Sequence, residues 1–297
     1  MSDIIASPSV RASALNKGID LAQLAQDLGR TTIGHEDLTT TTRAPDAGDA
    51  GAAQNTQYWQ VDHSAYGPVT EEPLSRFAQV AAGNLGAANA LIPQVTHHDQ
   101  ADMTAIEALR QNWKPDAQAR GIKLTALAFH VMALARSLRE FPTFNASLSA
   151  DGKMLILKDY VHIGIAVDTA HGLMVPVIRN ADRKGLLQIS AEIRDLAARA
   201  QSRKIAPDEM GGASMSISNL GGIGGSAFTP IVNPPELAIL GITRSQMVPE
   251  WDGEAFKPVL KAPLDLSYDH RVINGADAAR FMSCLCGFLT EPRRLVI

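Results

Sequence analysis

Ser267-Tyr268-Asp269-His270-Arg271-Val272-Ile273-Asn274-Gly275, close to the C-terminus, sets the reading of this chain. An apolar, β-prone run, Pro263 to Tyr268, leads into it, and an apparent helix follows. His270 therefore sits at a strand end, where a side chain projects into a cleft instead of a core. That placement suits a proton-transferring imidazole. Asn274, four residues on, can turn back towards the same cleft and hydrogen-bond there. Asp269 neighbours the histidine in an extended strand and so faces the other way. Arg271 is its natural partner in a structural ion pair. Most of the eight histidines are expected to be surface or satisfied core groups, so the company of His270 decides its meaning.

Upstream, the pattern alternates strands and helices. Met154–Leu157, Ile163–Val167, Leu173–Val177, Ala213–Ser218, Glu236–Ile242 and Leu264–Tyr268 read as strands. Thr104-Ala-Ile-Glu107 has the form of a capping box and predicts a helix from Thr104. Leu124 to Leu138 is apolar nearly all round, as in a buried helix, and Gly185 to Arg203 carries Leu186, Ile189, Ile193 and Leu196 at helical spacing. The class is α/β with a mixed set of elements.

One strand, Ser216-Ile-Ser218-Asn219, runs into Leu-Gly221-Gly222-Ile-Gly224-Gly225-Ser226. Glycines let backbone approach a ligand closely and expose N–H groups. The segment lacks a P-loop lysine and does not fit the dinucleotide spacing, so by itself it reads as a structural turn. His97-His98-Asp99 with Asp102 is a poor metal set, because adjacent imidazoles diverge and no further ligand follows at helical spacing. No metal is expected.

The chain has 297 residues, 45% hydrophobic and 20% charged, with a net charge of −4. Such a chain holds one large domain with a small appendage. Its charge gives no basic field for nucleic acid or an anionic membrane. No apolar run reaches membrane-spanning length, and the N-terminus lacks a secretory pattern. Cys284 and Cys286 lie two apart in an apparent helix and read as core thiols. The expected location is the cytoplasm.

Residues 5–40 form a miniature helical unit. Ser7 and Pro8 open one helix, Asn16-Lys17-Gly18 close it, Asp20 opens a short second, and His35-Glu36-Asp37-Leu38 a third. Some thirty residues bury little core. Residues 41–66, rich in Ala, Gly, Asp and Thr, read as a flexible linker. Residues 67–297 form the main domain.

Together these segments resemble the dihydrolipoamide acyltransferase component of 2-oxoacid dehydrogenase complexes, in its pyruvate dehydrogenase-type acetyltransferase branch. Asp269-His-Arg-Val-Ile-Asn-Gly-Ala276 matches the family signature. Ser218 to Gly241 follows the acetyltransferase version of the glycine segment. Pro73–Arg76, Ile92–Thr96, Ala101–Thr104 and His171–Ile178 fall in family order. The N-terminal unit is similar to the family's peripheral-subunit-binding domain at Ala6–Arg11 and Gly18–Leu21. Its loop departs, with Gln26, Asp27, Leu28, Thr31 and Thr32 in place of a glycine-rich run, Arg30 retained, and Ser13 at an apolar position. Loss of glycines should strain or remodel that loop and puts docking of the decarboxylase or dihydrolipoyl dehydrogenase in doubt.

The resemblance implies a chloramphenicol-acetyltransferase-like two-layer sandwich. It implies acetyl transfer between a dihydrolipoyl thiol and coenzyme A, with His270 as base, Ser218 as oxyanion donor and Asn274 in support. It implies a homotrimer whose sites join two subunits, stacked into a cubic core with help from Leu295-Val296-Ile297. No lipoyl-like segment precedes Ala6, so either the lipoyl group is carried by another polypeptide or the chain is a fragment of a longer one. Two other readings compete: a non-catalytic core paralogue, and an acyltransferase with a small diffusible acceptor.

Overall fold

The computed structural model describes residues 5–16, 19–34, 37–40, 60–170 and 172–296. The chain divides into two units, Met1–Pro73 and Leu74–Ile297. In the first, β1 (Ile5–Ala6) leads into α1 (Pro8–Asn16). Ser7 caps α1 by accepting from the Val10 amide at 3.3 Å, and Pro8 stands where no amide donor is needed. α2 (Leu21–Asp27) starts at Asp20, whose carboxylate accepts from Ala22 N at 2.8 Å. β2 (Thr32–Ile33) pairs in parallel with β1, and α3 (Asp37–Thr40) follows. Val10, Ala14, Leu24, Ile33 and Leu38 form the small core.

The strain expected in the loop after α2 is absent from the described residues. Its left-handed position falls on Gly29, φ +62, so no β-carbon suffers there. Arg30 is ion-paired with the buried Asp37, which also accepts from Gly34 N at 2.8 Å. Expectations for Lys17-Gly18, His35-Glu36 and residues 41–59 lie outside the described residues.

The second unit begins with α4 (Arg76–Leu91), β3 (Gln94–Asp102), α5 (Thr104–Ala119) and α6 (Ala126–Glu140). Short strands follow: β4 (Ala146–Leu148), β5 (Leu155–Leu157), β6 (Ile163–Ile165), β7 (Val167–Thr169), β8 (Gly172–Met174) and β9 (Val177–Ile178). Then come α7 (Leu186–Gln201), β10 (Met215–Asn219), β11 (Ala238–Ile242), β12 (Gln246–Trp251), β13 (Phe256–Asp269), α8 (Gly275–Thr290) and α9 (Arg293–Val296).

Seven strands make one mixed sheet. β6, β10 and β11 run parallel; β9 flanks β6 and β13 flanks β11, both antiparallel. β3 pairs along β13 from Asp269↔Gln94 to Lys261↔Asp102, and β12 forms a hairpin with the first half of β13. β13 alternates: Leu264, Leu266 and Tyr268 join the apolar core, while Asp265, Ser267 and Asp269 occupy the other face, also buried. α6 delivers Phe129, Val131, Leu134 and Leu138 to the same core. Each such side chain stabilises the fold by roughly 1.5–3 kcal/mol.

Several boundaries differ from expectation. The capping box at Thr104 does not form: α5 has no side-chain cap bond, Glu107 turns to Arg110 at 2.6 Å, and Thr104 Oγ1 accepts from Leu260 N at 3.0 Å. An arginine one turn on outcompetes a backbone amide for the carboxylate. The apolar runs 163–167 and 173–177 each split, because the chain leaves the sheet at Ala166 to form the β7–β8 hairpin and returns at β9. His97 and His98 lie within a full strand, β3. Leu295 is buried in its own chain at 1% exposure and is not free to join trimers. The Val296 side chain, Ile297 and His171 lie outside the described residues.

Candidate active site

The structure places His270 one residue beyond β13, exposed, in the turn to α8. Its position is held by the backbone, since His270 N donates to Pro93 O at 3.1 Å. Its ring lies 5.8 Å from the Tyr268 ring and makes no hydrogen bond among the described residues. Asp269 does not orient it. That carboxylate, 1% exposed, is held by Arg271 through Nε at 2.9 Å and Nη2 at 2.6 Å, as expected from the sequence. The Asp269 side pins the turn by charge-assisted bonds, and the imidazole is left free to react.

Asn274 differs from expectation. Its Oδ1 accepts from Asp277 N at 3.0 Å and caps α8. Such a cap fixes where the helix starts, so Asn274 shapes the histidine turn from below. Its Nδ2 amide has no protein partner among the described residues.

Ser218 lies near the end of β10, half-buried, and its hydroxyl makes no bond among the described residues. The glycine segment beyond it is laid tightly over the sheet. Asn219 Oδ1 accepts from Gly221 N at 2.9 Å, and a β-carbon on Gly221 would meet Thr243 O at 3.3 Å. Phe228 covers Gly241 so closely that a β-carbon there would sit 2.8 Å from its ring. Phe228 N donates to Asp265 at 3.2 Å, and Arg244 Nη2 donates to Ile223 O at 2.9 Å. The segment is a structural turn, as its glycines alone suggest, and it holds the strand end that bears Ser218.

The decisive geometry is the register. Ser218 pairs with Gly241 on β11, and Gly241 pairs with Asp265 on β13. His270 lies five residues beyond Asp265, while Ser218 lies at the opposite end of the sheet. Two strand spacings across and five residues along put the two side chains roughly 20 Å apart. One chain cannot bring them to one substrate.

Sequence reasoning missed three features here. Asp265, 1% exposed, receives His98 Nδ1 at 2.6 Å, so one member of the His-His-Asp group serves the sheet interior. Glu236 is buried beneath β10, bonded to Ser216 Oγ at 2.9 Å and Asn233 Nδ2 at 3.1 Å. Burial pushes its carboxyl up to about 7. His130 is buried in α6 with Nε2 unpaired. These groups are set by strand register and by which polar atoms meet across the fold, and residue spacing carries no trace of them. Burial and the Glu140 carboxylate raise the Cys284 thiol to about 11, and burial and Asp99 raise Cys286 to about 12, so neither is a reactive thiolate at neutral pH. Among the described residues no group of three or more His, Cys, Asp or Glu could hold a metal, and no helix is long and apolar enough to cross a membrane.

The family model "2-oxoacid dehydrogenases acyltransferase (catalytic domain)" matches residues 66–297. The chain is 46% identical over 299 residues to the dihydrolipoyllysine-residue acetyltransferase component of the pyruvate dehydrogenase complex of Pseudomonas aeruginosa, covering 98% of this chain and 55% of the relative. Its counterpart in Azotobacter vinelandii is 47% identical over 300 residues, covering 98% and 47%. The chain thus spans about half the length of the curated relatives it matches. A structure of the Azotobacter vinelandii dihydrolipoamide acetyltransferase is similar at TM-score 0.79 and 51% identity, over 80% of this chain and 98% of that one. That study concerned the catalytic role of a serine, a histidine and an asparagine, spaced as Ser218, His270 and Asn274 are here. The cubic core of a pyruvate dehydrogenase complex matches equally, at TM-score 0.79 and 51% identity.

Proposed function

Because this chain belongs to the 2-oxoacid dehydrogenase acyltransferase family, we propose that it moves an acetyl group between a dihydrolipoyl thiol and coenzyme A at a site completed by two copies of the chain. The observation that carries this reading is the sheet register. Ser218 and His270 stand at opposite ends of one sheet, each with its reactive atom unspent. The Ser218 end of one copy meeting the His270 end of the next is a head-to-tail contact, which gives a ring when the rotation between copies closes. A trimer is the ring the family resemblance implies, and similarity to a cubic core supports further assembly. Exposed Phe77, Val80, Leu85 and Leu91 on α4, with Leu155 to Leu157 on β5, supply apolar surface for contacts between copies.

At the joint site the chemistry balances simply. A free thiol has a pKa near ~8.5 and needs a base to become the nucleophile. His270 takes the coenzyme A proton as sulfur attacks the lipoyl thioester carbon. The carbonyl oxygen becomes an oxyanion and accepts a hydrogen bond from the partner copy's serine hydroxyl, at the position of Ser218. Collapse breaks the bond to the lipoyl sulfur, which leaves with the proton held by His270. The reverse direction runs through the same groups. Asn274 acts as a positioning residue through its helix cap.

Co-expression of Ser218→Ala and His270→Ala chains tests the shared site. Each variant alone loses roughly 10²-fold or more of its rate between acetyl-CoA and dihydrolipoamide. In mixed assemblies some sites pair an intact serine with an intact histidine, so measurable activity returns. If activity stays absent although both chains co-purify in one oligomer, the two-copy site is wrong.

A further inference from the structure

Ser218, Gly241, Asp265 and His98 are register partners on four neighbouring strands, β10, β11, β13 and β3. Partners in register carry their side chains on one face, so these four positions form a row across the sheet that starts at the serine. Within the row sits a buried acid. Asp265 is 1% exposed, and its ion-pair partner among the described residues is His98. Its two oxygens are divided between two donors. Oδ1 accepts from His98 Nδ1 at 2.6 Å, and Oδ2 accepts from the Phe228 amide at 3.2 Å. A carboxylate only accepts, so His98 Nδ1 carries the proton of that bond.

The bond to Phe228 matters because of where its ring goes. Gly241 lies between Ser218 and Asp265 in the row and has no side chain. A β-carbon there would stand 2.8 Å from the Phe228 ring and 3.1 Å from Asp265 Cβ. The ring therefore fills the place that a side chain at 241 would take, one strand spacing of about 4.8 Å from the serine strand. Phe228 is also where the glycine segment, which leaves β10 just past Ser218, comes back over the sheet. Two further ties hold this segment. Thr243 Oγ1 donates to Ser226 O at 3.2 Å, a neutral bond, and the exposed Arg244 reaches Ile223 O at 2.9 Å. The tie at Phe228 is both charge-assisted and buried, and a charge-assisted bond is roughly twice as strong as a neutral one. His98 holds the carboxylate from its other side and keeps it turned to the amide.

We infer that Asp265 and His98 are positioning residues for the acyl transfer: they pin Phe228 over Gly241 and so fix the strand end from which Ser218 presents its hydroxyl. The inference rests on the acyl-transfer reading and extends it to two residues that act through the serine. A donor aimed at an oxyanion stabilises charge only while it is held in place, and that charge exists only in the transition state. Loosening the donor therefore lowers kcat and leaves substrate binding as it was.

Steady-state kinetics of the assembled full chain, with acetyl-CoA and dihydrolipoamide, test this through a double-mutant cycle with Ser218→Ala. Asp265→Ala lowers kcat about tenfold and His98→Ala about threefold, with both KM values held within about twofold. Asp265→Asn, whose Oδ1 still accepts from the Phe228 amide, recovers most of the loss. So does His98→Asn, whose Nδ2 stands near the place of the imidazole Nδ1. In the Ser218→Ala background the two alanine variants cost nothing further, because the group they position is already gone. The His98 side chain is 52% exposed, so His98→Ala spares the fold and decides the cycle where Asp265→Ala does not assemble. Unchanged kcat in the alanine variants, losses confined to KM, or losses that add in full to that of Ser218→Ala overturn this inference alone. A Ser218→Ala chain with unaltered kcat overturns the oxyanion role of the serine with it.

Discussion

The two ends of the mixed sheet, which carry Ser218 and His270, are built by opposite means. At the Ser218 end the backbone is placed by what is missing: a β-carbon would crowd the Thr243 carbonyl at 3.3 Å from Gly221 and collide with the Phe228 ring at 2.8 Å from Gly241. The buried acid beneath it, Glu236, forms no ion pair among the described residues, and burial, against the opposing pull of Lys158, raises its carboxyl to about 7. At the His270 end the turn is placed by charge, with Asp269 clasped by Arg271, and by a polar cap, Asn274. Ser218, the proposed oxyanion donor, thus rests on a steric platform and His270, the proposed base, on an electrostatic one. A stiff donor stabilises charge best when it need not reorganise, whereas a base that must take and return a proton does well on a turn with a free, exposed ring.

The largest expected effects strike His270 and Ser218, the proposed reactive groups. His270→Ala should lower the maximal rate roughly 10²–10⁴-fold and Ser218→Ala roughly 10²–10³-fold, with Michaelis constants little moved. Steady-state kinetics with acetyl-CoA and dihydrolipoamide decide this. A loss confined to the Michaelis constants would strip both residues of their chemical roles.

Arg271→Ala attacks the charge-built end by leaving Asp269 buried and unpaired. Broken buried pairs cost roughly 3–5 kcal/mol, and Arg271 is itself nearly half exposed, so about 3 kcal/mol is expected. Urea unfolding should show the loss, and native-like stability would mean the turn does not depend on that clasp.

At the other end Glu236→Gln should have the reverse sign. Glu236 is raised in the folded chain, so it contributes stability in full below its unfolded value near ~4.5 and loses it as pH rises through about 7. The amide cannot ionise, so the variant gains on the order of 2–3 kcal/mol at pH 8 relative to the unaltered chain and little at pH 4. A gain independent of pH would contradict this.

The smallest effect separates two roles of Asn274. Asn274→Ala should cost about 1 kcal/mol through the lost cap, while Asn274→Asp, an equally good cap, should cost almost nothing. If Asn274→Asp keeps stability yet lowers turnover, the Nδ2 amide acts on the site directly. Unchanged turnover confines Asn274 to shaping the turn.

Local chemistry made much of this legible beforehand. The apolar run into Tyr268 marks a strand, Ser7 and Asp20 mark helix starts, and Asp269 beside Arg271 marks an ion pair, because each depends on neighbours within a few positions. Thr104-Ala-Ile-Glu107 misleads for the same reason: the motif is local, but Arg110 and Leu260 N compete for its side chains in three dimensions. Residues 163–167 look like one strand because hydrophobicity records burial and not the partner. The orphan Nε2 of His130 and the burial of Glu236 have no sequence signal at all, since they depend on which atoms fail to arrive.

The sequence by itself determined the α/β class, the elements that end in Ser218 and His270, and the family to which those elements belong. Only the tertiary structure decided that the two residues lie at opposite ends of one sheet and that Asn274 caps a helix. The physical reason is range. Periodicity and capping are written in residues three or four apart, whereas the register Ser218↔Gly241↔Asp265 is set by pairing between distant strands.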